Sequence, residues 1–350
     1  MPMLTGYLRR QAATCYELKS ALTACLLLRI ANDCDAQGPC RDLFGHRESA
    51  ALPNSMLGPR IAGAMHSLVL AGLAPELATF YPTAGGSFVE AGFWEQALAV
   101  LMSNMDFVNA YIENPPQTNE VGRAGTLLAG FLLVARETGL PLRCLEAGAS
   151  AGLLLHWDRY RYDLDGAHWG DSSSPVLIRN RWRGTPAGLP ARVSVSERRG
   201  CDLNPVDLGD PEETRRLRSY IWGDHPGRLA RLDAAMAVAA RDPAPVDRQD
   251  AASWIEAQLA DPRPGVATVF YTCFASMYFG RASVAAIRDA FSRAAAIATP
   301  EAPLALLQLE RTSKGGTPRL QLSQWPGNTH RILAGTDLLG RSTTWAKARR

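Results

Sequence analysis

CLEAGASAGLLL, residues 144–155, fits two incompatible patterns. In the first, an apolar strand ends on the acid Glu146. Gly148, Ala149, Ser150 and Gly152 then form a glycine turn opening a helix over about 152–160, and such a turn lets the backbone approach a nucleoside ligand. In the second, G-x-S-x-G over 148–152 is a nucleophile elbow that exposes Ser150 and needs an acid and a histidine later in the chain. The two patterns call for different partners elsewhere in the sequence.

Upstream of this stretch, residues 1–113 lack strand-like segments. Apolar residues recur there at helical spacing: Leu22, Leu26 and Ile30, then Ile61, Met65, Leu68 and Leu73, then Trp94, Leu98, Leu101 and Met105. Breaks fall at Gly38-Pro39, Gly58-Pro59, Pro82 and Gly85-Gly86. A hinge is expected at Glu113-Asn114-Pro115-Pro116, leaving 114–350 as a second domain. There the pattern alternates. A helix capped by Thr118 or Asn119 runs to about 138 and is stopped by Gly139 and Pro141, and a strand follows at 142–147. Further strands are expected at 192–201, 246–250, 265–273 and 303–309, with helices at 212–217, 226–240, 251–259 and 283–297 between them. Strand candidates at 319–324, 330–334 and 342–345 close the chain. Strand–helix alternation implies an α/β fold with a parallel sheet covered on both faces and an antiparallel hairpin at the end.

In a doubly wound sheet, ligands bind beyond the carboxyl ends of the strands. This chain carries an acid at three such ends in order. Glu146 follows the first strand. Asp202, in Gly200-Cys201-Asp202-Leu203-Asn204-Pro205, follows the second and is placed to accept ribose hydroxyls. Asp250-Ala251 follows the third and suits an adenine amino group. Each acid alone is equally a helix cap; the order of three points to an adenosyl ligand.

This order resembles the class I methyltransferase-like (Rossmann-like) fold that binds S-adenosylmethionine (SAM), here with an N-terminal α-helical cap domain. The resemblance covers about 115–350 and departs in two places: Ser150 replaces the middle glycine, and 169–175 (WGDSSSP) is inserted between the first two strands. A narrower resemblance rests on PQTNEVGR (116–123), LEAGASAG (145–152), WDRYRY (157–162) and GCDLNP (200–205). These blocks resemble a bacterial family catalogued as a domain of unknown function, DUF2332, whose label implies no reaction. The whole chain is also similar to azetidine-2-carboxylate synthases. That resemblance implies cyclisation of SAM with release of methylthioadenosine; methyl transfer to a small molecule is the alternative.

By resemblance, Gln117, Glu146, Gly148, Ala149, Ser150, Gly152, Asp202, Leu203, Asp250, Ala251 and Thr272 bind SAM. Asn119, Glu120 and Arg123 suit its amino-acid end, since free N–H groups at a helix start attract anions. Plain capping and a surface ion pair explain the same residues. The segment 271–279 (YTCFASMYF) lacks an acceptor-binding D/N-P-P-Y and offers aromatics. Tyr160, Tyr162, Trp169, Tyr271 and Phe274 are candidates to hold a sulfonium by cation–π attraction, or are core. Glu120 or Asp171 is the candidate base for methyl transfer. The hydrolase pattern instead needs Asp250 or Asp337 with His225 or His330, and leaves Glu146 and Asp202 without a role.

Composition narrows the classes. A net charge of +3, with acids and arginines interleaved, is no nucleic-acid footprint. Seven cysteines without a C-x-x-C, and six histidines without ligand spacing, predict a reduced, metal-free protein. No leader or spanning segment is evident, so a cytoplasmic protein acting on a small molecule is expected.

Overall fold

A computed structural model describes residues 2–47, 56–184, 189, 192–311 and 316–346. The chain forms two compact units. One comprises Met1–Thr118 and Asp207–Ala230; the other comprises Asn119–Val206 and Arg231–Arg350.

The first unit is helical. Helices Pro2–Glu17, Ala21–Asp35, Leu57–Leu70, Phe93–Ser103 and Met105–Glu113 bury the residues that the 3.6-residue spacing singles out, including Leu22, Leu26, Ile30, Ile61, Met65 and Leu101. Leu73 lies beyond a helix end and stays exposed. The unit also takes in Asp207–Ala230, which the sequence pattern places with the second domain. Polar contacts explain the difference. Asp224 accepts from Ser20 Oγ at 2.6 Å and from Leu22 N at 2.9 Å, so it caps helix Ala21–Asp35 from a distant part of the chain. His66 is 1% exposed; its Nδ1–H donates to the Ile221 carbonyl at 2.7 Å, and its Nε2 lies 2.8 Å from the Thr83 hydroxyl, within hydrogen-bond distance.

The second unit carries twelve strands among the described residues: β1 (Leu142–Ala147), β2 (Arg161–Asp163), β3 (His168–Gly170), β4 (Leu177–Arg179), β5 (Arg181–Arg183), β6 (Val195–Asp202), β7 (Val246–Arg248), β8 (Ala267–Cys273), β9 (Leu304–Glu310), β10 (Arg319–Trp325), β11 (Thr329–Thr336) and β12 (Ser342–Trp345). The main sheet has the order β5-β12-β11-β10-β9-β8-β1-β6-β7. Strands β7, β6, β1, β8 and β9 are parallel; β10, β11 and β12 add an antiparallel meander, and β5 pairs parallel with β12. The chain winds outward from β1 through β6 to β7, then returns to β8 on the other side of β1. The fold is therefore α/β with a large, mostly parallel sheet. A second sheet, β3-β2-β4, contains part of the inserted segment 169–175.

Helix Ala124–Thr138 lies against one face of the sheet and is buried throughout 124–134, which explains its near-continuous apolar sequence. It sits close because Gly130 has no side chain: a Cβ there would be 2.2 Å from Leu307 Cδ1. On the other face Trp254, Ile255, Phe291 and Ala294 pack with Leu145, Phe270 and Leu304 in one core. The helix expected over 152–160 is a 3-10 segment, Leu153–Arg159, with His156 off helical geometry. Its carbonyls have other donors: Tyr160 Oη–H bonds Leu153 O at 2.5 Å and Tyr162 Oη–H bonds Trp157 O at 2.6 Å. No described helix is long and apolar enough to cross a membrane.

Burial lowers the pKa of His66 to about 4, against the partial opposition of its carbonyl partners. An unfolded histidine titrates near 6.5. The contribution of neutral His66 is therefore complete above about pH 6.5 and is lost as pH falls towards 4, amounting to roughly 3 kcal/mol. Urea unfolding of the wild type and His66→Gln across this window should give a steeper pH dependence for the wild type; equal slopes would refute the assignment.

Candidate functional site

The candidate site lies where the winding of the sheet reverses, at the carboxyl ends of β1 and β8, the position at which doubly wound sheets bind ligands. Glu146, next to last in β1, is 1% exposed. Its Oε2 accepts from Tyr271 Oη at 3.2 Å, and the two residues are register partners on neighbouring strands. Burial raises the Glu146 pKa well above the usual carboxylate range; the Tyr271 hydrogen bond opposes the shift and the charge of Asp202 adds to it. A buried carboxyl with one hydroxyl partner keeps spare acceptor capacity.

The GASAG turn folds back on β6. Gly148 N and Ala149 N donate to the Cys201 carbonyl at 2.9 and 3.0 Å. Gly148, Ser150 and Gly152 have φ of +79°, +54° and +69°. Ser150 thus adopts, without being glycine, the left-handed conformation the turn needs. Asp202 holds it there: Ser150 N donates to Oδ2 at 2.8 Å, and Asn204 N donates to Oδ1 at 2.9 Å. The acid expected to bind a ribose is thus also the clamp between two strand exits, and each oxygen retains a second lone pair for a ligand hydroxyl. Asn119 completes the turn by accepting from Leu153 N at 2.9 Å.

At the β8 exit, Phe274 has φ of +57°, an uncommon conformation for an aromatic residue. Its N–H bonds the Leu309 carbonyl at 3.0 Å, and its ring lies 4.2 Å from the Arg123 guanidinium carbon. Arg123 Nε donates to Leu338 O at 3.0 Å. Glu310, the last residue of β9, accepts from Ala275 N at 3.1 Å and Ser276 N at 3.2 Å. Glu310 was not among the residues expected from sequence, although LALLQLE ends an apolar strand on an acid just as RCLEA places Glu146. The β1 and β8 loops touch: a Cβ on Gly148 would lie 2.4 Å from the Ala275 Cβ.

Other expected residues have structural partners. Glu120 accepts from Gly122 N at 3.0 Å and pairs with Arg231 at 3.1 Å, so its charge is taken up. Tyr160 and Tyr162 are buried with their hydroxyls on backbone carbonyls. Trp169 stacks on Trp157 at 5.8 Å and meets Tyr162 edge-on. Asp250 caps helix Ala251–Leu259 through Ala252 N and Ser253 N, with Ala251 buried behind it. Leu203 is 64% exposed. Asp171 accepts from Ser173 N and Oγ, which lower its pKa and weaken it as a base. Thr272 is buried on β8 beside Glu310, and Gln117 belongs to the first unit.

The elbow pattern finds no base in the positions expected. His330 lies on β11, four strands from β1, or about 19 Å at ordinary strand spacing. His225 lies in the first unit, where its ring bonds Lys19 O at 3.0 Å. Asp337 accepts from Leu339 N, and Asp250 is the cap just described. Cys273 is no better a nucleophile, because burial pushes its thiol up to about 12 despite the nearby Arg123. Among the described residues no group of three or more His, Cys, Asp or Glu converges as a metal site would. A cavity of about 480 Å³ lies at the amino ends of β8 and β9, beside Ala267, Leu304, Trp325 and Arg331, and thus away from the reversal point. A cavity of about 100 Å³ adjoins the β8 exit, lined by Ala147, Thr272, Ser276 and Gln308 among others.

Gly148→Ala should be costly, because the new Cβ meets both positive φ and Ala275. A loss of roughly 2–4 kcal/mol in denaturant unfolding is expected; a neutral result would show that the two loops separate freely.

No curated protein and no solved structure matches this chain. A family model matches residues 6–345, and by it the chain belongs to the family described as "Uncharacterized protein conserved in bacteria (DUF2332)".

Proposed function

We propose that the chain is a SAM-utilising enzyme with a class I methyltransferase-like core, and that its leading reaction is cyclisation of SAM to azetidine-2-carboxylate with release of methylthioadenosine. The observation that carries the reading is the pairing of buried Glu146 with Tyr271 beside a glycine turn at the point where the sheet reverses. Counted from β1, the order β7-β6-β1-β8-β9 is 3-2-1-4-5, which is Rossmann-like and supports a nucleoside site at this edge. The far edge departs from the resemblance, because β10 and β11 follow β9 as a plain meander.

The residues fit such a ligand. Gly148 and Gly152 allow close backbone approach, Asp202 retains lone pairs for ribose hydroxyls, and Arg123 is placed for the carboxylate of the amino-acid end. Cyclisation needs a neutral amine. The ammonium first loses a proton, and Glu146 suits that task because a raised carboxyl pKa makes it a stronger base. The amine lone pair then forms the N–Cγ bond while the Cγ–S bond breaks. Its electron pair stays on sulfur, so the sulfonium leaves as neutral methylthioadenosine and the ring nitrogen keeps its two protons as an ammonium. Tyr271 and Phe274 are the aromatics beside Glu146 and Arg123 that suit a sulfonium.

Methyl transfer is the second reading, favoured by the same strand order. An acceptor would attack the methyl carbon, and adenosylhomocysteine would leave.

Incubation of the purified protein with SAM alone distinguishes the two. Methylthioadenosine and azetidine-2-carboxylate in equal amounts, above the spontaneous background, are expected. Intact SAM without an acceptor, and adenosylhomocysteine with one, would establish methyl transfer. Absence of SAM binding would overturn both.

Asp202→Ala should weaken SAM binding by about 1–3 kcal/mol, the range for a charge-assisted hydrogen bond. Unchanged affinity by calorimetry would remove Asp202 from the ribose site. Ser150→Ala should keep most activity, since the turn acts through its backbone. Turnover should fall on the acid side at a pH above the usual carboxylate range as Glu146 is protonated, and that limb should vanish in Glu146→Gln.

A further inference from the structure

We infer that Glu310 is a positioning residue: it holds Phe274 against Arg123 and so shapes a carboxylate-binding half-site at the β8 exit. The carboxylate assigned to it, the amino-acid end of SAM, rests on the function proposed above; the positioning role does not.

The argument begins with backbone strain. A left-handed aromatic residue is sterically strained and persists only where its surroundings over-determine it. Phe274 is fixed from both sides. Its own N–H is on Leu309 O, and the next two N–H groups are on a single oxygen of Glu310, at 3.1 and 3.2 Å. Glu310 is 6% exposed, and its backbone is held in the antiparallel pairing of β9 with β10, opposite Arg319. A carboxylate on a rigid strand end thus captures the two residues after Phe274, and the neighbouring Leu309 carbonyl holds Phe274 itself.

The turn brings the Phe274 ring to 4.2 Å from the Arg123 guanidinium carbon. Arg123 is itself fixed, with Nε on Leu338 O and with Gly340 so close that a Cβ there would be 2.7 Å from Arg123 Cα. Glu120, the nearest acid in sequence, is committed to Arg231. Among the described residues Arg123 forms no ion pair with a carboxylate. A half-buried guanidinium, stacked on an aromatic face, held through Nε and touching the Cys273 thiol, keeps further N–H groups to donate to a carboxylate.

Two measurements on the full chain test the inference. The first needs no ligand: hydrogen exchange at the Ala275 and Ser276 amides. Glu310→Ala should accelerate it about tenfold or more, while Glu310→Gln, which keeps an acceptor oxygen, should stay near wild type. The second compares calorimetric binding of SAM and decarboxylated SAM, which lacks only the carboxylate. Wild type and Glu310→Gln should prefer SAM, and Glu310→Ala should lose about tenfold of that preference. If Glu310→Ala does not fold, Phe274→Gly serves instead. It keeps the amide protection and should lose the preference. Unchanged exchange in Glu310→Ala, or an intact preference in either variant, overturns the inference. If wild type binds neither ligand while exchange responds as expected, the SAM reading falls and the positioning role stands.

Discussion

Asp202 ties the candidate site together. One carboxylate oxygen takes the Ser150 N–H from the turn after β1, and the other takes the Asn204 N–H from the turn after β6. Charge-assisted bonds to backbone are stronger than neutral ones, so they can hold a left-handed serine where a glycine would be easier. The position of Ser150 sets that of Gly148, and Gly148 is packed on Ala275 in the next loop. The β1 and β8 exits at the reversal point are therefore coupled through one acid.

Three buried or half-buried acids stand at or next to the carboxyl ends of parallel strands, and their partners set them apart. Asp202 and Glu310 each receive two backbone N–H groups from turns at strand exits, Asp202 from the turns after β1 and β6 and Glu310 from the turn after β8. Parallel strands end in such turns, whose N–H groups have left the ladder and need acceptors. Glu146 receives a single phenolic hydroxyl and is the most buried of the three. Satisfied acids define shape, whereas an acid short of partners in a low-dielectric setting becomes a strong base for the first proton donor that reaches it. The same logic divides the arginines: Arg231 is spent on Glu120, and Arg123 is stacked on Phe274 without a carboxylate partner among the described residues.

The first unit is held by side chain to backbone bonds spanning long stretches of chain. The hydrogen bonds of His66 and Asp224 recruit 207–230 to a helical core built from the amino-terminal part of the sequence. A buried neutral histidine can do this because both ring nitrogens have partners within hydrogen-bond distance.

Local pattern carried much of the architecture. Apolar runs bounded by turn residues located β1, β8 and β9; helical spacing located Ala21–Asp35 and Leu57–Leu70; cap and stop residues located the helix ending at Thr138; and strand-end position singled out Glu146 and Asp202. These are properties of neighbouring residues, because side-chain alternation and helical periodicity depend on covalent spacing alone. Other features depended on partners far along the chain. The 3-10 form of Leu153–Arg159 arises where tyrosines take its carbonyls. The membership of 207–230 depends on His66 and Ser20, and the clamping role of Asp202 on a serine 52 positions earlier. The importance of Glu310 depends on two amides 34 and 35 positions away. Such bonds form only after the sheet has set which strands are neighbours. Periodicity therefore placed the acids at strand ends, and tertiary pairing decided which of them became clamps and which kept its capacity for a ligand.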